Sequence, residues 1–257
     1  MSLLYRRTFG QGPPLVLVHG WGLHSGVWGR FADQLAQHFQ VTCIDLPGYG
    51  LSPICGEFTL DNISTLLAET VTDACCWLGW SLGASVVLDL AVRFPERVNC
   101  LVLLAGNPCF VQTSEHSQWP GMPVSMFEQF STHLWRDPER TLAQFLALQV
   151  HGLPEAKIYL KQLKQMVSNY PMPSLPLLKA GLDILRQSHL QNLQAISHLP
   201  ISVILAEQDH LVPVSVQHTL VHYPLLNVQV IEGAGHAVFL THAEQLEQLI
   251  RDFLRVL

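Results

Sequence analysis

Short apolar runs at residues 15–18, 41–44, 75–78, 101–104, 201–205 and 228–231 recur along the chain, with segments of helical period between most of them. A run that is apolar at every position, rather than at alternate ones, has no face to turn to water. Such runs belong in a parallel sheet covered by helices on both sides. The intervening segments at 27–38, 60–72, 82–94, 214–222 and 242–254 carry the 3.6-residue period and have Gly, Pro or Asp at several of their edges, so helices are expected there. Between about residues 109 and 190 the alternation stops, and helix-like patterns interrupted by prolines take its place. This stretch is expected to be a helical insertion. The division that follows is an α/β core of residues 1–108 and 191–257 with a cap of residues 109–190.

Composition narrows the class further. At 257 residues, 49% hydrophobic and 13% charged, the chain can bury one large core, and no Ser/Gly/Pro-rich connector divides it. A formal charge of −6 argues against general nucleic-acid binding, which needs a basic face. The apolar runs fall far short of the roughly 20 residues that span a bilayer, so no membrane association is expected. The first residues place Arg6 and Arg7 after, not before, a short apolar stretch, which is unlike a secretory leader, and a cytoplasmic protein is expected. Cys43, Cys55, Cys75, Cys76, Cys100 and Cys109 form no C-x-x-C pair and lie mostly in or beside strand runs, so buried thiols are expected rather than disulfides. The 13 histidines include no H-E-x-x-H, and neither a metal nor any other cofactor is expected.

The chemistry centres on Gly79-Trp80-Ser81-Leu82-Gly83, which joins the run at 75–78 to the helical segment starting near Leu82. A sharp strand-to-helix turn lifts a serine clear of the sheet, and the flanking glycines let strand and helix approach. Ser81 is therefore the candidate nucleophile. A serine hydroxyl reacts only when a base takes its proton, and a histidine base needs an acceptor that fixes its tautomer. The loops after the last two strand runs supply both: Asp209 follows residues 201–205 and His236, in Gly233-Ala234-Gly235-His236, follows residues 228–231. The order Ser81, Asp209, His236 suits a triad at the carboxyl edge of a parallel sheet. His19, His210 and His242 compete as base, and Glu207 and Asp183 as acid. His236 is preferred because small residues free its loop, whereas His242 falls in the final helical pattern.

Acyl transfer also needs two N–H donors aimed at the developing oxyanion. The expected donors are the backbone N–H of Leu82, which follows the serine, and that of Trp21 in His19-Gly20-Trp21-Gly22 after the first strand run. In the insertion, Trp119, Met122, Phe127, Phe130, Trp135 and Phe145 either line a channel for an apolar chain or pack the cap.

With these residues in place, the sequence resembles the α/β-hydrolase superfamily along nearly its whole length: His19-Gly20, the segment Asp45-Leu46-Pro47-Gly48-Tyr49-Gly50, the elbow, Asp209 and His236. The resemblance implies an α/β-hydrolase fold, a mostly parallel sheet flanked by helices and carrying an inserted cap. A serine at the elbow implies ester, thioester or C–C hydrolysis, since the dehalogenases and epoxide hydrolases of that superfamily usually have aspartate there. More specifically, the chain resembles the pimeloyl-[acyl-carrier protein] methyl ester esterases of biotin synthesis. The resemblance is carried by His19-Gly20-Trp21-Gly22-Leu23, the elbow, Asn107-Pro108-Cys109-Phe110, Trp119-Pro120-Gly121, Phe145-Leu146-Ala147-Leu148-Gln149 and Pro171-Met172-Pro173. It implies that Trp21, Ser81, Leu82, Phe145, Leu146, Ala147, Leu148, Gln149 and His236 bind substrate. It also implies that an acyl carrier protein is the partner. Ala84 and Ala206 stand where many relatives have glycine, and neither change removes a functional side chain.

Charge distribution bears on such a partner independently, because carrier proteins are acidic. All four lysines lie in the insertion, and residues 136–186 hold 7 Lys/Arg against 4 Asp/Glu, so the remainder of a chain of net −6 is more acidic still. Arg136 and Arg140 are four apart, and Lys157, Lys161 and Lys164 share one helical face. These five are the candidate carrier-facing residues, and a solvated helix face is the plain alternative. A monomeric serine esterase without a cofactor is the expectation. A general carboxylesterase, a C–C hydrolase and a slow-turnover binding protein on the same scaffold are its rivals.

Overall fold

The computed structural model describes residues 4–112, 118–187, 189–223 and 226–256. Its centre is a seven-stranded sheet of β1 (Arg6–Phe9), β2 (Pro14–Val18), β3 (Gln40–Ile44), β4 (Cys75–Trp80), β5 (Val98–Leu104), β6 (Ile201–Ala206) and β7 (Leu226–Ile231). The strand order is β1-β3-β2-β4-β5-β6-β7. Every neighbouring pair is parallel except β1 with β3, which runs antiparallel from Arg6 opposite Ile44 to Phe9 opposite Val41. The six apolar runs form β2 to β7. The edge strand β1 carries no such signal because Arg6-Arg7-Thr8 face solvent and pair on one side only.

Side chains alternate along each strand and so sort into two cores. Val16 and Val18 of β2 pack on one face, together with α2 (Leu60–Thr70) and α3 (Leu82–Arg93) through Ile63, Leu67, Val86 and Leu90. Leu15 and Leu17 pack on the other with α1 (Gly29–Leu35) and α11 (Ala243–Arg255) through Phe31, Leu35, Leu246 and Ile250. Each such fully buried aliphatic side chain is worth roughly 1.5–3 kcal/mol, so the two faces together supply the main driving force.

Between β5 and β6 the chain forms α4 (Val124–Arg136), α5 (Pro138–Leu148), α6 (Ala156–Val167), α7 (Leu175–Arg186) and α8 (Leu190–Ala195). Asp137 caps α5, its carboxylate accepting the Arg140 N–H at 3.1 Å, and Pro138 occupies the first helical position, where a missing N–H costs nothing. α8 lies across the expected boundary at residue 190 and packs on α3, where Asn192 Nδ2 approaches Asp89 Oδ1 at 3.4 Å.

Three expected helices differ in detail. The segment at 27–38 is divided into a 3-10 turn at Ser25–Trp28 and the shorter α1, because Gly29, the first residue of α1, has a φ of 42°. Residues 214–222 likewise divide into a 3-10 turn at Val214–Val216 and α9 (Gln217–Leu220). His242 lies outside the final helix, at φ −132° between α10 (Val238–Thr241) and α11. Its carbonyl accepts the Leu246 N–H at 2.9 Å and so starts α11.

Candidate active site

Ser81 sits at the turn from β4 to α3 with φ 57° and ψ −116°, a conformation that only a tightly built elbow holds in a residue with a Cβ. The neighbours that build it are the glycines. A Cβ on Gly79 would lie 2.2 Å from the Gly83 carbonyl oxygen, and one on Gly83 would lie 2.4 Å from that of Val18. The Ser81 N–H donates to Leu104 O at 3.0 Å, which ties the elbow to the end of β5.

Asp209 and His236 come from the loops after β6 and β7, whose parallel pairing puts the two loops side by side. His236 Nδ1 and Asp209 Oδ2 are 2.7 Å apart, and both side chains are buried. The other carboxylate oxygen, Oδ1, accepts the N–H groups of Leu211 at 2.7 Å and Val212 at 2.9 Å. An ionised, acceptor-only Asp209 places the imidazole proton on Nδ1 and leaves the Nε2 lone pair free. That Nε2 is buried and has no hydrogen-bond partner among the described residues. The bond from Ser81 is therefore not formed in this conformation, as is common before substrate tightens such a site.

A contact outside the sequence reading fixes the imidazole's loop. Trp80, the variable residue of the elbow, donates its Nε1–H to the His236 carbonyl at 3.0 Å, with the two rings 5.5 Å apart. Glu207, weighed above as an acid, instead accepts the Gly233 N–H at 2.8 Å and braces the same loop. The cap reaches it as well, since the Ala237 N–H donates to the Gln149 carbonyl at 3.3 Å. The signal for Trp80 was its place inside the motif; the contacts of Glu207 and Gln149 join positions far apart in sequence.

The other histidines have different work. His19 is buried, accepts the Leu46 N–H on Nε2 at 3.0 Å and donates from Nδ1 to Gly20 O at 2.9 Å, joining two loops, and burial pushes its pKa down to about 4. His210 pairs with His151 of the segment between α5 and α6, nitrogen to nitrogen 3.2 Å. His242 bonds Thr241 Oγ1 at 2.8 Å, and Asp183 is exposed on α7.

Leu82 begins α3, where the first N–H groups of a helix have no partner within it. A Cβ on Gly20 would lie 3.2 Å from Ser81 Cβ, so the Gly20–Trp21 segment runs directly past the serine. The Trp21 indole is held by a 2.7 Å bond from Nε1 to Leu178 O. With Ser81 it lines a cavity of about 130 Å³ whose other walls include Met122, Phe127, Phe130, Phe145 and Leu148. Phe110, which belongs to the motif at residues 107–110, also lines it, as do Met126, Leu182, Leu185, His210 and Leu211; of these, Met126, Leu182, Leu185 and Leu211 carry no motif that sets them apart in sequence. Leu146 lines a neighbouring cleft instead, and the amide atoms of the buried Gln149 have no partners among the described residues. Trp119 packs away from the cavity with its Nε1–H on Asn107 Oδ1, and Trp135 is exposed beneath Lys179.

Among the described residues no cluster of three or more His, Cys, Asp or Glu side chains could hold a metal ion, and no helix is long and apolar enough to cross a membrane. Burial pushes the Cys43 and Cys75 thiols up to about 12, far from the range in which a thiolate reacts. Arg136, Arg140, Lys157, Lys161 and Lys164 are all exposed, and among the described residues none has an ion-pair partner.

Residues 15–249 match the model of the alpha/beta hydrolase family. A pimeloyl-[acyl-carrier protein] methyl ester esterase of Methylococcus capsulatus is 38% identical over 252 residues, covering 98% of each chain. One from Yersinia enterocolitica is 38% identical over 255 residues with the same coverage. Among solved structures, a bromoperoxidase from Bacillus anthracis superposes with a TM-score of 0.85 at 20% identity, over 98% of this chain and 95% of that one. An esterase from Exiguobacterium antarcticum gives 0.83 at 17% identity over the same shares, and both likenesses bear on fold alone. A parallel sheet with a strained serine elbow, matched over its length by this family model and these relatives, has one conclusion: the chain belongs to the alpha/beta hydrolase family and, within it, to the family of the pimeloyl-[acyl-carrier protein] methyl ester esterases.

Proposed function

We propose that the protein is a serine carboxylesterase that hydrolyses the methyl ester of pimeloyl-[acyl-carrier protein] to the free carboxylate and methanol, a cytoplasmic step of biotin synthesis. The observation that carries this reading is the Asp209-held imidazole of His236 on the sheet edge that also bears the strained Ser81, which opens into an apolar cavity. In this mechanism His236 Nε2 takes the Ser81 proton as Oγ attacks the ester carbonyl. The N–H groups of Leu82 and Trp21 hold the oxyanion, each worth about 3 kcal/mol of barrier. The imidazolium then protonates the departing methoxide, and His236 activates a water that hydrolyses the acyl-enzyme. The seven-carbon chain lies along Trp21, Phe145 and Leu148, and its methylenes gain roughly 0.8 kcal/mol each on burial.

Residues 109–190 act as the cap over a core of 1–108 and 191–257, and the carrier protein docks on the cap. Arg136 and Arg140, which line an open cleft of about 250 Å³ with His133, Asp137, Thr141 and Gln144, and the exposed lysines of α6 meet its acidic surface. The test is release of methanol from the carrier-bound methyl ester by purified enzyme. Steady turnover that Ser81→Ala abolishes is the expected result. Cleavage of small esters alone would make this a general carboxylesterase, and tight binding without turnover would make it a binding protein.

A further inference from the structure

Two imidazoles meet where the segment after α5 crosses the loop after β6. His151 Nδ1 lies 3.2 Å from His210 Nε2, and the rings stand at 89° with centroids 4.6 Å apart. Rings aimed straight at each other across that gap would stand farther apart, so the N–H···N bond between them is bent. Both residues are exposed, and His210 also lines the cavity that holds Ser81, which puts the pair at the rim of that cavity. Gly152 follows His151 at φ 81°, and even a Cβ there would stand 3.4 Å from His210 Nε2, so this nitrogen is not covered from that side. Asp209, the residue before His210, has one carboxylate oxygen on His236 and the other on the N–H groups of Leu211 and Val212. It adds negative charge close to the pair without competing for either ring.

We infer that His151 and His210 are the two protein ligands of an exchangeable site for a divalent transition-metal ion, and that an ion held there ties the cap to the core across the rim of the catalytic cavity and slows turnover. Imidazole nitrogens bind such ions at about 2.0–2.1 Å, so two of them on one ion, at angles between square and tetrahedral, stand about 2.9–3.4 Å apart. The pair already has that separation, and only a turn of the exposed rings is needed to aim both lone pairs at one point. Each neutral imidazole then offers one nitrogen, Nδ1 on His151 and Nε2 on His210, and carries its proton on the other, which exchanges with water. No electron moves and no covalent bond between heavy atoms breaks. The hydrogen bond given up is bent and exposed, hence weak. Among the described residues no third His, Cys, Asp or Glu joins the pair, so water fills the remaining positions and the ion comes and goes rather than residing as a cofactor. A site of imidazole and water favours Cu²⁺ over Ni²⁺ and Ni²⁺ over Co²⁺. Binding of the ion stands apart from the esterase reading above; its effect on turnover rests on that reading.

The test is calorimetric titration of the full chain, first stripped with EDTA and dialysed, with Ni²⁺ at neutral pH and no substrate present. Wild type is expected to bind one ion more tightly than any other, with Cu²⁺ tighter still and Co²⁺ weaker. His151→Gln and His210→Gln, both at exposed positions, should each weaken that binding by about tenfold or more, since each removes one of the two ligands. His236→Ala should bind as wild type does; it removes the catalytic Nε2, the rival nitrogen that has no partner among the described residues. In a second arm, Ni²⁺ should slow hydrolysis of p-nitrophenyl butyrate by wild type, and excess EDTA should restore it. His151→Gln, whose side chain is not among the cavity walls, should match wild type in EDTA and need about tenfold more Ni²⁺ for the same inhibition. Absence of binding, or equal binding by wild type and both glutamine variants, overturns the site. Binding lost in His236→Ala but kept in His151→Gln also overturns it, by placing the ion on the triad. Binding that depends on His151 and His210 while turnover ignores the ion overturns the tie across the rim. Failure of the metal-free wild type to cleave any ester, with Ni²⁺ binding intact, would instead count against the esterase reading and not against the site.

Discussion

Asp209 spends both carboxylate oxygens, one on His236 and the other on two backbone N–H groups, so its replacement has a defined consequence. Asp209→Asn can keep the shape of the loop but offers an amide where the imidazole needs an acceptor, which favours the wrong tautomer. We expect kcat to fall by about 10⁴-fold with little change in KM, measured on any hydrolysed ester. His19 shows the opposite use of a histidine, as a buried neutral link between the loop after β2 and the loop after β3. Burial lowers its pKa from 6.5 to about 4 in the fold, with the nearby Asp45 carboxylate offsetting part of that shift. The unfolded chain therefore binds more protons than the folded one between those values, and stability falls as pH drops through that window. That contribution to stability is held above pH 6.5 and lost as pH falls toward 4. His24 and His189, also lowered by burial, add to the loss in the same direction. Urea denaturation across pH 4 to 7 should show this slope, and His19→Gln should flatten it; an unchanged slope in the variant would assign the dependence to other groups.

At the scale of elements, the elbow depends on β4, α3 and β2 meeting without side chains between them. Gly79→Ala would drive a Cβ into the Gly83 carbonyl, and overpacking of that kind costs about 3 kcal/mol or more. The expected result is a lower denaturation midpoint together with loss of activity, since the clash lies at the turn that presents Ser81. A second fastening joins helices rather than strands. Asp89 on α3 accepts Ser64 Oγ of α2 at 2.7 Å and the Nε–H of Arg93 at 2.6 Å. Asp89→Ala leaves the buried Ser64 hydroxyl without its acceptor, and with Arg93 partly exposed the expected loss is about 2 kcal/mol, read as a shift in the urea midpoint. Because Asp89 lies about two turns along α3 from the elbow, kcat at low temperature should be unchanged.

The molecule as a whole is a dipole of function: a net charge of −6 over the chain, with its four lysines and the Arg136–Arg140 pair all within residues 136–186. If an acidic carrier protein docks there, its attraction is screened over a Debye length of about 8 Å at physiological salt, whereas a small neutral ester feels no such field. Raising salt from about 50 to 500 mM should therefore increase KM for the carrier-bound ester about fivefold or more and leave kcat/KM for p-nitrophenyl butyrate unchanged. Arg136→Glu with Arg140→Glu should reproduce the high-salt KM at low salt. Equal salt dependence for the two substrates would place the basic face outside the docking surface.

Local sequence determined a good deal of this protein by itself. The fully apolar runs sufficed for β2 to β7, and the glycine-flanked serine between a strand and a helix sufficed for the elbow, because each signal is contiguous and reports a local physical demand. The Asp209–His236 pair was legible for a related reason, since consecutive parallel strands deliver their following loops to one edge. Tertiary structure alone decided the rest. The exposed edge strand β1 has no apolar pattern to announce it, and its pairing with β3 is a long-range choice. Nothing local separates Trp119, which turns its N–H to Asn107, from Phe127, which faces the cavity, since both are large, apolar and buried. Likewise Phe145 and Leu146 are adjacent residues on α5, and while Phe145 touches both the cavity and the neighbouring cleft, Leu146 faces that cleft. Such distinctions depend on which surfaces meet when cap and core pack, and a dispersion contact is nondirectional until its partner is in place.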